Sequence, residues 1–381
     1  MSTFIESIRR LFTPAVPLSP GIFHYQAPPD APIPYRLHLR LEPDGMGLLI
    51  VNASTILHFN QTAAELAYHL IKQTPEDQMV HEIVGRYRVS HEQARQDFRL
   101  LNDRIQTLIN TPDLDPEMYL DFERTAPHTQ KLSAPYRLDC ALTYRLTSGL
   151  DDSLAPTKRV DRELNTQEWC EIFDKAWNIG IPHIILTGGE PTLREDLPDL
   201  IAHTEANGQV VGLLSDGLKL TDDIYLKTLL KTGLDHLMLT LKPEDENSWK
   251  ALGNVLSVDL FAGVHHTLTL QNVVNTSQIL ERISKLGVKA VSLSASDPAL
   301  HGSLIEFRNQ AASLGLSLVW DLPVPYSVFN PVTLETQLDN LPAGAGHTWL
   351  YIEPDGDVLP AQGINQVLGN MLRDPWSTLW R

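Results

Sequence analysis

From residue 136 onward, short apolar runs alternate with amphipathic stretches. The runs lie at 136–144, 182–187, 209–215, 235–241, 264–270, 289–294 and 316–321. Between them, helical spacing recurs at 166–179, 196–207, 222–232, 276–286 and 303–314, with a short helix after the fourth run. Near-continuous apolar strands, each followed by a helix, predict a parallel sheet buried on both faces. Repetition of the unit makes a (β/α) barrel the expected architecture, with functional groups at the C-terminal strand ends.

The chain has 381 residues, 43% of them apolar, enough for two to three domains with sizeable cores. A formal net charge of −17 argues against a nucleic-acid partner, which would require clustered Lys and Arg to displace counterions. No apolar run reaches 18 residues, and the N-terminus lacks the order of a signal peptide; a cytoplasmic protein without membrane contact is expected. The two cysteines, Cys140 in an apolar strand and Cys170 in a helix, exclude a disulfide framework and a Cys-x-x-Cys motif. Both read as core thiols.

The segment before the barrel divides further. Phe4, Ile5, Ile8, Leu11 and Phe12 have the spacing of a short amphipathic helix, and Pro14 to Pro34 read as a stiff tether, poorly ordered unless it packs. From Tyr35, Leu37, Leu39 and Leu41 alternate along one strand, an Asp44-Gly45 turn leads to 47–52, and a third strand covers 55–60. Asn60 is a candidate N-cap for the first of three helices, through about Lys72, with the others at 76–86 and 91–109. A winged-helix-like unit of three strands and three helices is expected.

Asn52 to Glu65, Ile83-Val-Gly-Arg-Tyr-Arg-Val-Ser90, Asp97, Leu100 and Leu101 resemble the PqqD-like family, the recognition element that holds the leader of a ribosomally made precursor peptide. That resemblance implies a peptide partner. An unpaired sheet edge beside Leu37, Leu39 and Leu41 would take it as an added strand, with a groove at Phe98 and Leu101 on the third helix.

At the first barrel strand the chain reads Leu138-Asp-Cys-Ala-Leu-Thr-Tyr-Arg145, and the second ends in Thr187-Gly188-Gly189-Glu190-Pro191. Paired glycines let the main chain approach a ligand closely, and Glu190 offers an acceptor to an ammonium. The third strand ends in Ser215-Asp216-Gly217, the fourth in Thr240-Leu241-Lys242-Pro243, and Ser294 lies on the rim at 291–297. Lys242 is read as neutralising Asp216 and Glu190. His265 and His266, adjacent in a strand, point to opposite faces and cannot share a metal.

This order of motifs resembles the radical S-adenosylmethionine (radical SAM) family. The resemblance implies Gly188, Gly189, Glu190, Pro191, Ser215, Asp216, Lys242 and Ser294 as the candidate ligand-binding set. It also implies three cysteines after Arg145, where this chain has Leu146, Leu150 and Ser153. The C-terminal stretch 351–380, with its Asp355-Gly356 turn, resembles the SPASM extension of peptide-modifying radical SAM enzymes, but Ala361 stands where a cysteine is implied and 341–350 contain none.

The expected organisation is an N-terminal helix and tether (1–34), a PqqD-like unit (35–110), a linker (111–134), a partial radical-SAM-type barrel (135–325) and a SPASM-like remnant (326–381). The function expected is that of a radical SAM-like pseudoenzyme, with no catalytic residue or metal ligand, which binds a precursor peptide, a cluster-bearing radical SAM homologue, or both. No cofactor is expected, S-adenosylmethionine being at most weakly bound and an iron–sulfur cluster absent. The alternatives are polar chemistry at the barrel mouth, using Glu190, Asp216, Lys242 and His265 or His266, and a sensor of S-adenosylmethionine.

Overall fold

A computed structural model describes residues 16–28, 30–52, 55–111, 114, 132–335 and 341–380. The helix expected at 3–12 and most of the linker expected at 111–134 lie outside the described residues. The chain divides into two compact units, Met1–Lys131 and Leu132–Arg381. Among the described residues, no helix is long and apolar enough to cross a membrane.

In the first unit, β1 (Gly21–Gln26), β2 (Arg36–Leu41), β3 (Gly47–Val51) and β4 (Thr55–Phe59) form an antiparallel sheet in that order. Gly45, at φ +86°, makes the β2–β3 turn, and Asp44 Oδ1 accepts the Met46 N–H at 3.0 Å. Helices α1 (Gln61–Ile71), α2 (Glu76–Arg86) and α3 (His91–Asn110) follow. Asn60 caps α1 through the Ala63 N–H at 3.0 Å, and Ser90 caps α3 through Gln93 at 3.1 Å. Leu39, Leu49, Met79, Ile83 and Ile105 are buried at the centre of this unit's core.

Two expectations are corrected here. The sheet has four strands rather than three, because 21–26, within the proline-rich stretch, pair with β2 from Gly21↔Leu41 to Gln26↔Arg36. The edge expected beside Leu37, Leu39 and Leu41 is therefore filled, and Leu39, Leu41 and Leu101 are core residues.

The second unit is built on β5 (Arg137–Thr143), β6 (His183–Gly188), β7 (Val210–Ser215), β8 (His236–Thr240), β9 (Phe261–Leu268), β10 (Ala290–Ala295) and β11 (Ser317–Leu318), all parallel. Helices α4 (Thr166–Asn178), α5 (Leu197–Asn207), α6 (Asp223–Lys231), α7 (Glu246–Leu256), α8 (Thr276–Lys285) and α9 (His301–Ser313) connect them. Asn165 and Glu168 close a capping box at the start of α4. The last parallel strand keeps two residues of the six expected; Asp321, at φ 62°, and Pro323 turn the chain away.

The C-terminal segment then returns to the other side of the sheet. There β12 (Trp349–Ile352) lies parallel to β5, and β13 (Asp357–Leu359) and β14 (Gly369–Asn370) extend it antiparallel. The strand order is β11-β10-β9-β8-β7-β6-β5-β12-β13-β14, and among the described residues no pairing joins its two ends. Gly356, at φ 88°, makes the β12–β13 turn. The core between sheet and helices includes Leu138, Trp169, Phe173, Ile184, Leu213 and Val264, all fully buried. Cys140 is buried in it, and Cys170 on α4 packs against it.

Candidate ligand site at the strand ends

A cavity of about 120 Å³ opens at the C-terminal ends of β5 to β9, bounded on one side by residues 324–329. Its polar lining begins at the end of β6. Gly188 has φ +122°, and a Cβ there would stand 2.3 Å from the Thr143 carbonyl oxygen; one on Gly189 would stand 2.3 Å from that of Arg145. The Gly189 and Glu190 N–H groups donate to those same two carbonyls at 2.8 Å each. The paired glycines thus meet the chain's own β5 strand end, a close approach of backbone to backbone.

Glu190 is 2% exposed and has four donors. Its Oε1 accepts from the Thr192 N–H at 3.0 Å, the Thr192 hydroxyl at 2.6 Å and the Ser215 hydroxyl at 2.8 Å, and its Oε2 accepts the Asp216 N–H at 2.7 Å. Those donors favour the carboxylate, yet burial, with the Asp216 charge beside it, pushes Glu190 up to about 8. Asp216 Oδ2 accepts from Thr147 at 2.7 Å and from Lys242 Nζ at 3.2 Å. The cation expected to neutralise both acids therefore pairs with Asp216, while Thr192, Ser215 and the Asp216 N–H donate to Glu190 as neutral groups.

Deeper in, His265 Nδ1 lies 3.0 Å from the Ser292 hydroxyl, and Nε2 lies 3.1 Å from Thr267 and 3.0 Å from Ser294. Burial takes it down to about 3, which leaves a neutral ring. His266 turns to the opposite side, 3.3 Å from the Thr276 hydroxyl. Ser294 reaches the site only through His265 and Thr267, and it does not line the cavity.

Sequence reasoning missed the wall at 324–329 and the hydroxyls of Thr147, Thr192 and Thr240. Tyr326 places that wall: its N–H donates to the Gly188 carbonyl at 2.8 Å, and its hydroxyl donates to Glu335 at 2.6 Å. Arg159 holds Glu335 bidentately at 2.9 and 3.0 Å and reaches Glu353 at 2.8 Å, where the Tyr144 hydroxyl also donates at 2.9 Å. Burial works against the Arg159 charge, but the two carboxylates outweigh it.

The positions where the resemblance implied cysteines differ among themselves. Leu146 is buried with Tyr144 and Tyr326, Leu150 is 73% exposed, and the Ser153 hydroxyl donates to Asp151 at 2.6 Å. Leu150 therefore does not help to close the mouth. Ala361 is buried against Trp349 and Ile364. None of the four offers a thiolate, so none of these four positions supplies a cluster ligand, and burial raises the Cys140 thiol well above its usual range. Among the described residues, no group of three His, Cys, Asp or Glu could hold a metal ion.

Residues 140–260 match the radical SAM superfamily. A PqqA peptide cyclase of Streptomyces rochei is 26% identical over 65% of this chain and 76% of its own length. That of Granulibacter bethesdensis is also 26% identical, over 36% of this chain, and the match spans only 40% of that relative. Streptococcus suis SuiB has the same fold, with a TM-score of 0.59, 16% identity, and 91% of this chain and 87% of that one covered. It is also solved bound to S-adenosylmethionine (TM-score 0.59, 14% identity, 91% and 87% covered) and to precursor peptide SuiA (TM-score 0.56, 15% identity, 90% and 87% covered).

These findings overturn the expectation of no cofactor, with S-adenosylmethionine at most weakly bound and no cluster: the matched superfamily is named for that molecule, and a protein of the same fold is solved with it. The chain thus carries a radical SAM superfamily match in its second unit and is related over 65% of its length to a PqqA peptide cyclase.

Proposed function

We propose that this chain binds a ribosomally made precursor peptide in the course of that peptide's modification, as a radical SAM-like pseudoenzyme in which catalysis has given way to binding. The observation that carries this reading is a cavity of about 240 Å³ in the first unit, where Tyr25, Tyr35, Leu37 and Phe98 meet. A hollow lined by three aromatic rings and by the polar side chains of His69, Gln73, Thr74 and Gln106, beside a β-strand, suits an extended peptide, which gains affinity from its backbone and selectivity from alternate side chains. Leu146, Leu150 and Ser153 support the pseudoenzyme part of the reading, and the PqqA peptide cyclase relatives support the peptide part. In finer detail, we take the first unit as PqqD-like, the second as a partial radical-SAM-type barrel, and 326–381 as a SPASM-like remnant. A cluster-bearing homologue that modifies the held peptide is the partner this reading calls for.

The test is titration of the full chain with the precursor peptide encoded beside its gene, followed by amide shifts or anisotropy. Saturable binding that Phe98→Asp weakens supports the reading; no binding by any neighbouring precursor sinks it.

A second reading rests on Glu190. A carboxyl pushed up to about 8 at the edge of a cavity, beside Asp216 and Lys242, suits proton transfer or recognition of a cationic ligand. S-adenosylmethionine carries both a sulfonium and an ammonium and is the first ligand to titrate. Heat of binding abolished by Glu190→Gln would favour this reading over the first.

A further inference from the structure

β2 and β3 are buried over nearly their whole length, whereas no residue of β1 is fully buried. Proline stands at 20 before β1 and at 28 after it, and the turn at 30–34 is largely exposed. Besides its backbone ladder with β2, β1 packs two aromatic side chains from one face. Phe23 meets the Tyr68 ring edge-on at 4.8 Å with Lys72 Nζ 5.1 Å from its centroid, and Tyr25 lies 5.7 Å from Tyr35. Beside Tyr25, the 240 Å³ cavity extends to Leu37 and Phe98, and the tyrosine leaves it unfilled.

We propose that Gly21–Gln26 is a resident strand, held in cis at the edge where a peptide partner docks, and that the partner is an extended segment with aromatic side chains two residues apart that replaces it. The proposal rests on the peptide-binding reading and adds to it the edge, the direction and the side-chain pattern. The incoming peptide runs antiparallel to β2, as β1 does. Its first aromatic takes the place of Phe23 on Tyr68 and Lys72. Its second takes the place of Tyr25, where the open cavity favours a larger ring such as indole. Because the resident strand is covalently attached, its local concentration is high, and a free peptide binds only as far as it out-competes that strand.

The test introduces a protease site into the exposed turn at 30–34 of the full chain, cuts after folding and removes the released N-terminal fragment by gel filtration. The probe is a fluorescent peptide of residues 16–28. The cut chain is expected to bind it saturably, at least ten-fold more weakly when Phe23 and Tyr25 are both replaced by Ala, and the uncut chain not to bind it. Three results overturn the proposal: a fragment that stays bound through filtration, loss of the far-ultraviolet signal on cutting, or no binding to a cut chain that remains folded. Hydrogen exchange on the uncut chain gives a second reading. The β2 amides bonded to β1 should exchange at least ten-fold faster than those shared with β3, and equal rates overturn the proposal. A precursor peptide that binds neither cut nor uncut chain removes the functional reading while leaving the resident-strand result in place.

Discussion

The backbone N–H of Tyr326 donates to the carbonyl of Gly188 at 2.8 Å. That bond joins the wall of the strand-end cavity to the loop carrying Glu190. With the Gly189 and Glu190 N–H groups donating to the carbonyls of Thr143, at the end of β5, and Arg145, just beyond it, the Gly-Gly-Glu turn makes its backbone bonds within the chain.

Glu190 should give stability a marked pH dependence. Its pKa is raised in the folded chain to about 8, so between its ordinary value of 4.5 and about 8 the folded state keeps a proton that the unfolded chain releases. Its contribution is therefore greatest below pH 4.5 and is lost as pH rises to about 8, by up to ~1.4 kcal/mol per pH unit. Glu190→Gln should flatten this slope in urea unfolding followed across pH 4 to 9.

Arg159 is nearly enclosed between Glu335 and Glu353, whose side chains are 17% and 1% exposed. Arg159→Met removes the cation and leaves a buried carboxylate without a counter-charge. A loss of about 3–5 kcal/mol in chemical unfolding is expected. Adding Glu353→Gln to that variant should recover part of it.

Two glycines should respond oppositely to alanine. At Gly189 the new methyl group would lie 2.3 Å from the Arg145 carbonyl oxygen, and a loss of about 1–3 kcal/mol follows. At Gly253, inside α7, a Cβ would meet nothing within 4 Å, and the helix should gain roughly 0.5–1 kcal/mol. Thermal melts of the pair would check both signs.

Leu146 and Leu150, four residues apart, should behave unlike each other. Leu146→Ala empties a buried contact with Tyr144 and Tyr326 and is expected to cost about 2–5 kcal/mol, loosening the 324–329 wall. Leu150→Glu, at a site 73% exposed, should stay within about 0.5 kcal/mol of the parent. Denaturant midpoints and proteolysis within 324–329 would separate the two.

The parallel sheet was legible in the sequence because strands buried on both faces carry unbroken apolar runs such as Ile184-Ile-Leu186 and Val210-Val211. Local chemistry was legible too: Asn60 and the Asp44-Gly45 turn act where expected. β1 was not, since Gly21–Gln26 is short and lies among prolines, and its pairing with β2 is a tertiary event. At the candidate site, Glu190, Ser215, Asp216 and Lys242 were named through the radical SAM resemblance of the strand-end motifs that carry them. Residues 324–329 escaped notice because they have no periodicity, and their position depends on Arg159, 176 residues from Glu335. The glycine pair was seen, but its partner, the β5 strand end, was not.

The placement of β12 against β5 bears on how the chain folds. Leu138 aligns with Leu350 and Cys140 with Ile352, and the indole N–H groups of Trp376 and Trp380 donate to the Ser133 and Leu132 carbonyls. The earliest strand of the second unit thus finds one of its two neighbours about two hundred residues further along the chain. Until that pairing forms, one edge of β5 stays open to any passing strand. Contacts so distant in sequence are slow to close, and a strand edge left unpaired while they form is a template for association with other chains.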